Sequence, residues 1–336
     1  MSSMAGEKAA RVADAKKPAK RPGVADEDLI GRKDLASRIK LALRPRIREI
    51  RFDLHLMAKS ATSITGIVLI VFLVVLATLP FLFAKPIPGA DPYITPKDFN
   101  QPTPQAPQGF GGKYPLGTGE NAASTYYGLI WGARISMAFA IQVVALGVLM
   151  GTIIGLVSGY KGGIIDEVIM RITDIFLSIP SLILVMAIAA VLGRGLGATK
   201  IALLVVWWSG YTRLIRGQVL SIRENTYIDA ARASGSGELK IMFRHILPNS
   251  WAPVVVAATM DMGTVVLVLA GLSYLGLGAP NGYAEWGVMI QEGQLFFVQG
   301  YWWMTIFPGL IILTFVLAFN LMGDGLRDVL DPKMRR

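Results

Sequence analysis

The 336-residue sequence is strongly apolar: 53% of its residues are hydrophobic, 17% are charged, and the mean hydropathy is +0.50. Soluble domains hold about 25% charged residues, so this composition excludes an ordinary soluble protein and predicts a chain that crosses a membrane several times. Because the chain contains no cysteine, disulfides, thiolate catalysis and cysteine-bound metal are excluded as well.

Positive charge is concentrated near the N-terminus. Residues 1–59 hold fifteen Lys and Arg against eight Asp and Glu, so +7 of the total net charge of +10 lies there. Such an excess before the first apolar run indicates a cytoplasmic tail beside a membrane, not a nucleic-acid partner. We expect residues 1–25 to be disordered and residues 29–59 to form a basic helix on the inner membrane surface.

The first predicted span is followed by a proline-rich stretch. Residues 60–84 carry no charge and are numerous enough to cross about 30 Å of hydrocarbon. Eight prolines lie between Lys85 and Asn121, so we predict an extended extracytoplasmic loop over residues 85–128. This loop either contacts another protein outside the membrane or serves as a rigid spacer.

Five further apolar segments complete the predicted membrane domain, residues 60–336. Pro180 is expected to kink the second of them, and Trp286 is typical of the outer membrane interface. The predicted helices cover about residues 135–158, 164 to the loop at 193–197, 201–222, 250–272 and 302–323. The fold class is therefore all-α, with six transmembrane helices and both termini in the cytoplasm.

A regular series of glycines lies on the second predicted span. The series consists of Gly147, Gly151, Gly155 and Gly159. A stripe of small residues lets a second helix approach backbone to backbone. Membrane helices also tolerate glycine in general, but that tolerance does not require one spacing to be kept throughout. We therefore predict close helix packing along this stripe.

One carboxylate lies deep within an apolar run. Asp261 is the only charged residue between Ile246 and Ala284. A carboxylate in the middle of a span costs at least ~2.5 kcal/mol unless it faces a partner or water. Asp261 is therefore either a residue of the translocation pathway, which we favour, or an interhelical strut held by hydrogen bonds.

A polar helical segment, residues 223–249, separates two of the apolar runs. Asn225 suits the N-cap of a first short helix, and Gly235 suits the left-handed conformation that ends one. Ser236 suits the cap of a second helix, which Pro248 is expected to end. The second helix carries an apolar stripe of Leu239, Met242, Phe243 and Ile246. This pattern fits either a docking site for a soluble partner or an amphipathic hairpin on the membrane surface.

These residues resemble a known family motif. Asp229-Ala230-Ala231, then Gly235 and, after nine more residues, His245-Ile246-Leu247-Pro248 resemble the "EAA" loop of ABC importer permeases of the dipeptide/oligopeptide/nickel branch. The similarity extends from Trp131 to the C-terminus and is greatest to the second, C-type, permease subunit. Asp229 stands where the family usually has the glutamate that names the loop.

The resemblance implies a function and a set of partners. In this family the loop forms a coupling helix that docks in a cleft of an ATPase subunit. It implies a cell-membrane complex of two different permeases, two ABC ATPases and an extracytoplasmic solute-binding protein, importing oligopeptides or dipeptides, oligosaccharides or nickel. The coupling residues that it implies are Asp229, Ala230, Ala231, Gly235, Glu238 and Pro248.

Catalysis is expected elsewhere in such a complex. The sequence contains no G-x-x-x-x-G-K-[ST] phosphate loop, so we expect ATP hydrolysis on separate subunits, and we predict no cofactor or metal in this chain. The alternative function, an ion-coupled secondary transporter, is expected to show inverted repeats and several intramembrane charges. A membrane scaffold without transport is a third interpretation, which copurification of ATPase chains distinguishes.

Overall fold

The computed structural model describes residues 60–330, so the predictions for residues 1–59 lie outside the described range. Within that range the chain is helical, with two isolated β-bridges and no strand. We call residues 224–247 the elbow segment. The α-helices are α1 (Ala61–Thr78), α2 (Pro80–Phe83), α3 (Thr125–Lys161), α4 (Gly163–Ser178), α5 (Ser181–Leu192), α6 (Leu196–Arg223), α7 (Thr226–Ala233), α8 (Glu238–Ile241), α9 (Leu247–Tyr274), α10 (Trp286–Phe297) and α11 (Trp303–Leu330).

The long helix α3 organises the packing of the bundle. Its second half lies along α6, from Gln142 beside Lys200 to Gly159 beside Val219, and α3 also contacts α9 and α1. On the far side, α11 packs against α9, α1 and α10. Fully buried side chains from these helices, such as Val143, Leu203, Leu269 and Phe315, form one apolar core. The packing therefore places α3 and α9 between the remaining long helices.

Four described helical stretches are long and apolar enough to cross a membrane: α1, α3, Glu238–Tyr274 and α11. The pair α4 and α5 makes a fifth if it counts as one bent span. The predicted fourth span corresponds to α6, whose 28 residues extend about 42 Å. Lys200, Arg213 and Arg216 lie on this helix, and it does not reach the apolarity of the other spans. Composition alone therefore supports four or five of the six predicted spans.

The span around Pro180 is broken. Helix α4 ends at Ser178, α5 begins at Ser181, and the two helices meet at an angle of 90°. Proline lacks the N–H that a helix interior needs and disfavours the helical conformation in the preceding residue. Ile179 is accordingly extended, with φ −96° and ψ 132°. The predicted kink is confirmed, and it is a complete break.

The proline-rich residues 85–124 fold across one end of the bundle, which we call the proline-rich end. The Tyr127 hydroxyl donates a hydrogen bond to the Pro92 carbonyl at 2.8 Å, and the Trp131 indole N–H donates to the Ala84 carbonyl at 3.0 Å. Helix α3 begins at Thr125, so the stretch without regular helix is shorter than predicted and is tied to the first turns of α3.

Helix α10 also lies at this end and was not predicted. The buried Glu285 carboxylate caps it by accepting hydrogen bonds from the N–H groups of Gly287 and Val288 at 3.1 and 3.0 Å. Trp286 is fully buried, and its indole N–H donates to the Leu129 carbonyl at 3.1 Å. The prediction of an interfacial Trp286 is therefore wrong, because this ring fills the bundle interior.

Candidate functional site

The elbow segment begins with α7, which ends in a glycine turn. The N–H of Gly235 donates to the Arg232 carbonyl at 2.9 Å and that of Ser236 to the Ala231 carbonyl at 3.1 Å, which closes a Schellman motif. Gly235 has φ +75°, as predicted, and an added Cβ meets no described atom within 4 Å. Backbone conformation, not lack of space, therefore favours glycine. Asn225 occupies the N-cap position, but its side chain makes no capping hydrogen bond.

The second half of the elbow segment differs from the prediction. Helix α8 has Gly237 and not Ser236 at its N-cap position, and it passes through a π-helical turn, Met242–Ile246, directly into α9. Pro248 lies in the first turn of α9, a position that tolerates a missing N–H. The prediction that Pro248 ends a helix is therefore wrong. The elbow segment continues into the helix that carries Asp261.

Buried apolar side chains fasten the elbow segment to the long helices. Ile228 of α7, Ile241 and Ile246 are almost fully buried and cluster with Ile215 and Val219 of α6. Burying a side chain of this size contributes about 1.5–3 kcal/mol relative to exposing it. The elbow segment is therefore packed against α6 through a continuous apolar cluster.

The other side of the elbow segment is exposed. The Asp229 side chain is 68% exposed and pairs with Arg232 at 3.1 Å, whereas Leu239 and Phe243 are 71% and 53% exposed. The predicted apolar stripe is thus divided between two sides, because a π turn holds more residues per turn than an α turn. We define the exposed face as Tyr227, Asp229, Ala230, Leu239, Lys240, Phe243 and Arg244.

The remaining predicted coupling residues lie outside the exposed face. The Glu238 carboxylate accepts a hydrogen bond from Nζ of Lys161, the last residue of α3, at 2.5 Å. Ala231 is half-buried and Pro248 is exposed beside the start of α9. Glu238 therefore joins the elbow segment to α3. The two residues lie 77 positions apart in the sequence, so no local pattern predicts the pair.

The glycine stripe faces α6. Its members are Gly147, Gly151, Gly155 and Gly159. An added Cβ on Gly151 lies 2.4 Å from the Tyr211 Cβ, and one on Gly155 lies 2.5 Å from the Thr212 carbonyl oxygen. At Gly147 the nearest atom of α6 is 3.5 Å away, an ordinary contact distance. The two helices therefore approach most closely over the later part of the stripe.

Ion pairs join α4 to α6 between the break and the elbow segment. The Arg216 guanidinium donates two hydrogen bonds to the Asp166 carboxylate, each at 2.6 Å. Asp166 also accepts from the Ser158 hydroxyl of α3, and Arg213 pairs with Asp174. The first half of the broken span is therefore fastened to α3 and α6, whereas α5 contacts α6 mainly through apolar side chains such as Val185 and Ala189.

Asp261 lies in the middle of α9 and lines a cleft of 680 Å³. The break between α4 and α5 and one side of α6 form the other walls. The Tyr211 hydroxyl and the Trp207 indole N–H both donate to Oδ2 of Asp261, at 2.6 and 3.1 Å. Asp261 thus makes interhelical hydrogen bonds and also borders the cleft. Sequence reasoning missed Trp207 and Tyr211, whose only signal is a pair of polar-edged aromatic rings four residues apart.

The chain matches known families and proteins over most of its length. A family model described as "Binding-protein-dependent transport system inner membrane component" covers residues 151–336, more than half of the chain. The dipeptide transport system permease protein DppC of Alkalihalophilus pseudofirmus is 38% identical over 82% of this chain and 88% of its own length. DppC of Bacillus subtilis is 33% identical over 96% and 98% of the two chains.

One solved structure and a further curated relative are also similar to this chain. A chain of the MetNI methionine ABC transporter, solved in inward-facing conformations, is 25% identical, with a TM-score of 0.49 over 61% of this chain and 97% of that one. The oligopeptide transport system permease protein OppC of Bacillus subtilis is 34% identical over 82% of this chain and 86% of its own length. The family match supports the importer and not the ion-coupled alternative. The chain therefore belongs to the binding-protein-dependent transport system inner membrane components, in the branch of the DppC and OppC permeases of ABC importers.

Proposed function

We propose that the chain is one of two membrane-spanning subunits of an ATP-driven importer of short peptides. Relatives named as permeases of dipeptide, di/tripeptide and oligopeptide transport systems favour peptides over oligosaccharides and nickel. The complex contains a second, different permease, two ABC ATPase subunits and an extracytoplasmic solute-binding protein. ATP is hydrolysed on the ATPase subunits.

The observation that carries this proposal is the division of the elbow segment into an exposed face and a buried side. We place the ATPase contact on the exposed face, which includes Asp229 and Ala230, with Gly235 as the joint. Closure of the ATPases moves α7, and Ile228 and Ile246 pass the displacement to α6 and α9. Glu238 keeps α8 in register with α3 through Lys161.

The same movement changes access to the cleft at Asp261, where we place the translocation pathway. The walls of this cleft come from α6, α9 and the broken span, so it changes shape when α6 and α9 move relative to α4. The close contacts of the glycine stripe hold α3 and α6 together as one body during that movement.

A labelling experiment tests the orientation, in which the elbow segment and both termini are cytoplasmic. Phe110, an exposed residue of the proline-rich end, and Gly237, an exposed residue of the elbow segment, are each replaced by cysteine in this cysteine-free chain. We expect a membrane-impermeant maleimide to label Phe110→Cys in intact cells and Gly237→Cys only after lysis. Labelling of both positions from the same side contradicts the orientation.

Copurification tests the proposed assembly. The full-length chain, tagged and extracted under mild conditions, is expected to bring with it a second permease chain and two copies of an ABC ATPase. Recovery of the chain without any ATPase, from membranes that also contain the other proposed subunits, contradicts the proposal. That result favours a scaffold or a secondary transporter.

A further inference from the structure

The Asp261 carboxylate has an unused oxygen beside the cleft. Both hydrogen bonds that it accepts, from Tyr211 and Trp207, go to Oδ2, and no residue between 60 and 330 donates to Oδ1. The described lining of the cleft contains no Lys, Arg or His. Since a carboxylate at membrane depth is stable only with a partner or water, this site has the charge to hold a cation and lacks one of its own.

The broken span gives the cleft more negative character. Residues 177–181 lie exposed at the break, and irregular backbone at membrane depth is tolerated where it lines an aqueous cavity or contacts other protein. The last carbonyl groups of α4 have no partner within their helix and carry the partial negative charge of a helix C-terminus. The aromatic rings of Phe176, Trp207 and Tyr211 also border the cleft, and the faces of such rings attract cations.

We propose that this cleft is a binding site for the amino-terminal ammonium group of the transported peptide, with the Asp261 carboxylate as its counter-ion. This inference rests on the proposed function as a peptide permease. Tyr211 and Trp207 position the carboxylate by holding Oδ2, which leaves Oδ1 for the ligand. The amino terminus is the cationic group that peptides of different side chains share, so one carboxylate serves many peptides.

A cysteine reporter measures the charge of the cleft. Thr264 lines the cleft three residues beyond Asp261 on the same side of α9. In the assembled complex, Thr264→Cys is modified with a trimethylammonium methanethiosulfonate and, separately, with a sulfonate of similar size. We expect Asp261→Asn to lower the ratio of the modification rate by the cationic reagent to that by the anionic reagent by about tenfold. The substitution removes a unit negative charge that lies one helical turn from position 264.

Two further measurements make the test specific. Asp328→Asn removes an equal charge from an exposed position of α11 and is expected to leave the rate ratio unchanged. In the Thr264→Cys complex with Asp261 intact, alanyl-alanine is expected to slow cysteine modification, whereas N-acetyl-alanyl-alanine at the same concentration is not. Asp261→Asn is expected to abolish the difference between the two peptides.

An equal rate ratio with Asp261 and with Asp261→Asn overturns the cation site, and so does equal protection by the free and acetylated peptides. The second comparison needs no substitution at Asp261 and therefore holds even if Asp261→Asn folds poorly. These rates are measured without ATP hydrolysis. A peptide-stimulated ATPase with an unchanged ratio refutes this site and leaves the proposed importer standing. Failure of the chain to assemble with ATPase subunits refutes the proposed importer and, with it, this site.

Discussion

Gly151→Ala is expected to destabilise the protein strongly, whereas Gly147→Ala is expected to be nearly neutral. The new methyl group at position 151 lies 2.4 Å from the Tyr211 Cβ and 2.7 Å from the Trp208 carbonyl oxygen. A Cβ and a backbone carbonyl of α6 cannot move away by a side-chain rotation, so the two helices must separate. Overpacking of this kind costs about 1–3 kcal/mol.

Thermal unfolding of the purified complex, followed by size-exclusion chromatography, measures this difference. Gly147→Ala is a matched control on the same helix, because the added Cβ lies 3.5 Å from its nearest neighbour, an ordinary contact distance. Alanine also has a higher helix propensity than glycine. Membrane insertion is expected to be normal for both variants, since alanine is no more polar than glycine. Equal midpoints for the two variants contradict close packing along the stripe.

Gly235→Val is expected to reduce both peptide-stimulated ATP hydrolysis and transport while leaving the fold intact. A β-branched residue is a strong outlier at φ +75°. The left-handed conformation costs a residue with a Cβ roughly 1–2 kcal/mol, so the turn after α7 rearranges and displaces the exposed face. If this cost of about 1–2 kcal/mol destabilises the state in which the elbow segment is docked on the ATPase, the peptide-stimulated rate of ATP hydrolysis falls about five- to thirtyfold.

Two control variants separate conformation from bulk at this elbow. Gly237 has φ −64° and open space around it, so Gly237→Val adds the same side chain without backbone strain and is expected to retain the stimulated rate. Gly235→Asn is expected to retain most of it, since asparagine tolerates the left-handed conformation. A Gly237→Val defect as large as that of Gly235→Val contradicts the conformational explanation.

Asp229→Lys tests the exposed face without altering the elbow. The substitution reverses an exposed charge and breaks only the ion pair with Arg232, which at the surface contributes about 0–1 kcal/mol to stability. We therefore expect normal folding together with weakened ATPase attachment in pull-down assays. Attachment at the level of the unchanged chain excludes Asp229 from the docking contact.

Features that depend on neighbours in the chain were predictable from the sequence. The break at Pro180 follows from the missing N–H of proline, and the turn at Gly235 follows from the left-handed conformation that glycine adopts readily. Uncharged runs such as residues 60–84 identify most of the predicted spans, because hydrocarbon accepts few charges. Asp261 was singled out for the same reason.

Features that depend on distant residues were not predictable. The pairs Asp166–Arg216 and Lys161–Glu238 join elements that lie far apart in the sequence. The π turn before Pro248 changed the helix register, so a proline that reads as a helix end lies in the first turn of a continuing helix. Trp286 is typical of a membrane interface by residue type, but its ring is buried against α3, where its indole N–H donates to the Leu129 carbonyl.

Uptake of a radiolabelled dipeptide into vesicles tests most directly the central claim that this chain couples ATP hydrolysis to peptide import. The vesicles contain the complete complex, with ATP on the side of the elbow segment and the solute-binding protein on the other. We predict uptake that requires ATP and the binding protein together, and that Gly235→Val reduces while Gly237→Val does not. Uptake without ATP that follows an imposed proton or sodium gradient would contradict the claim.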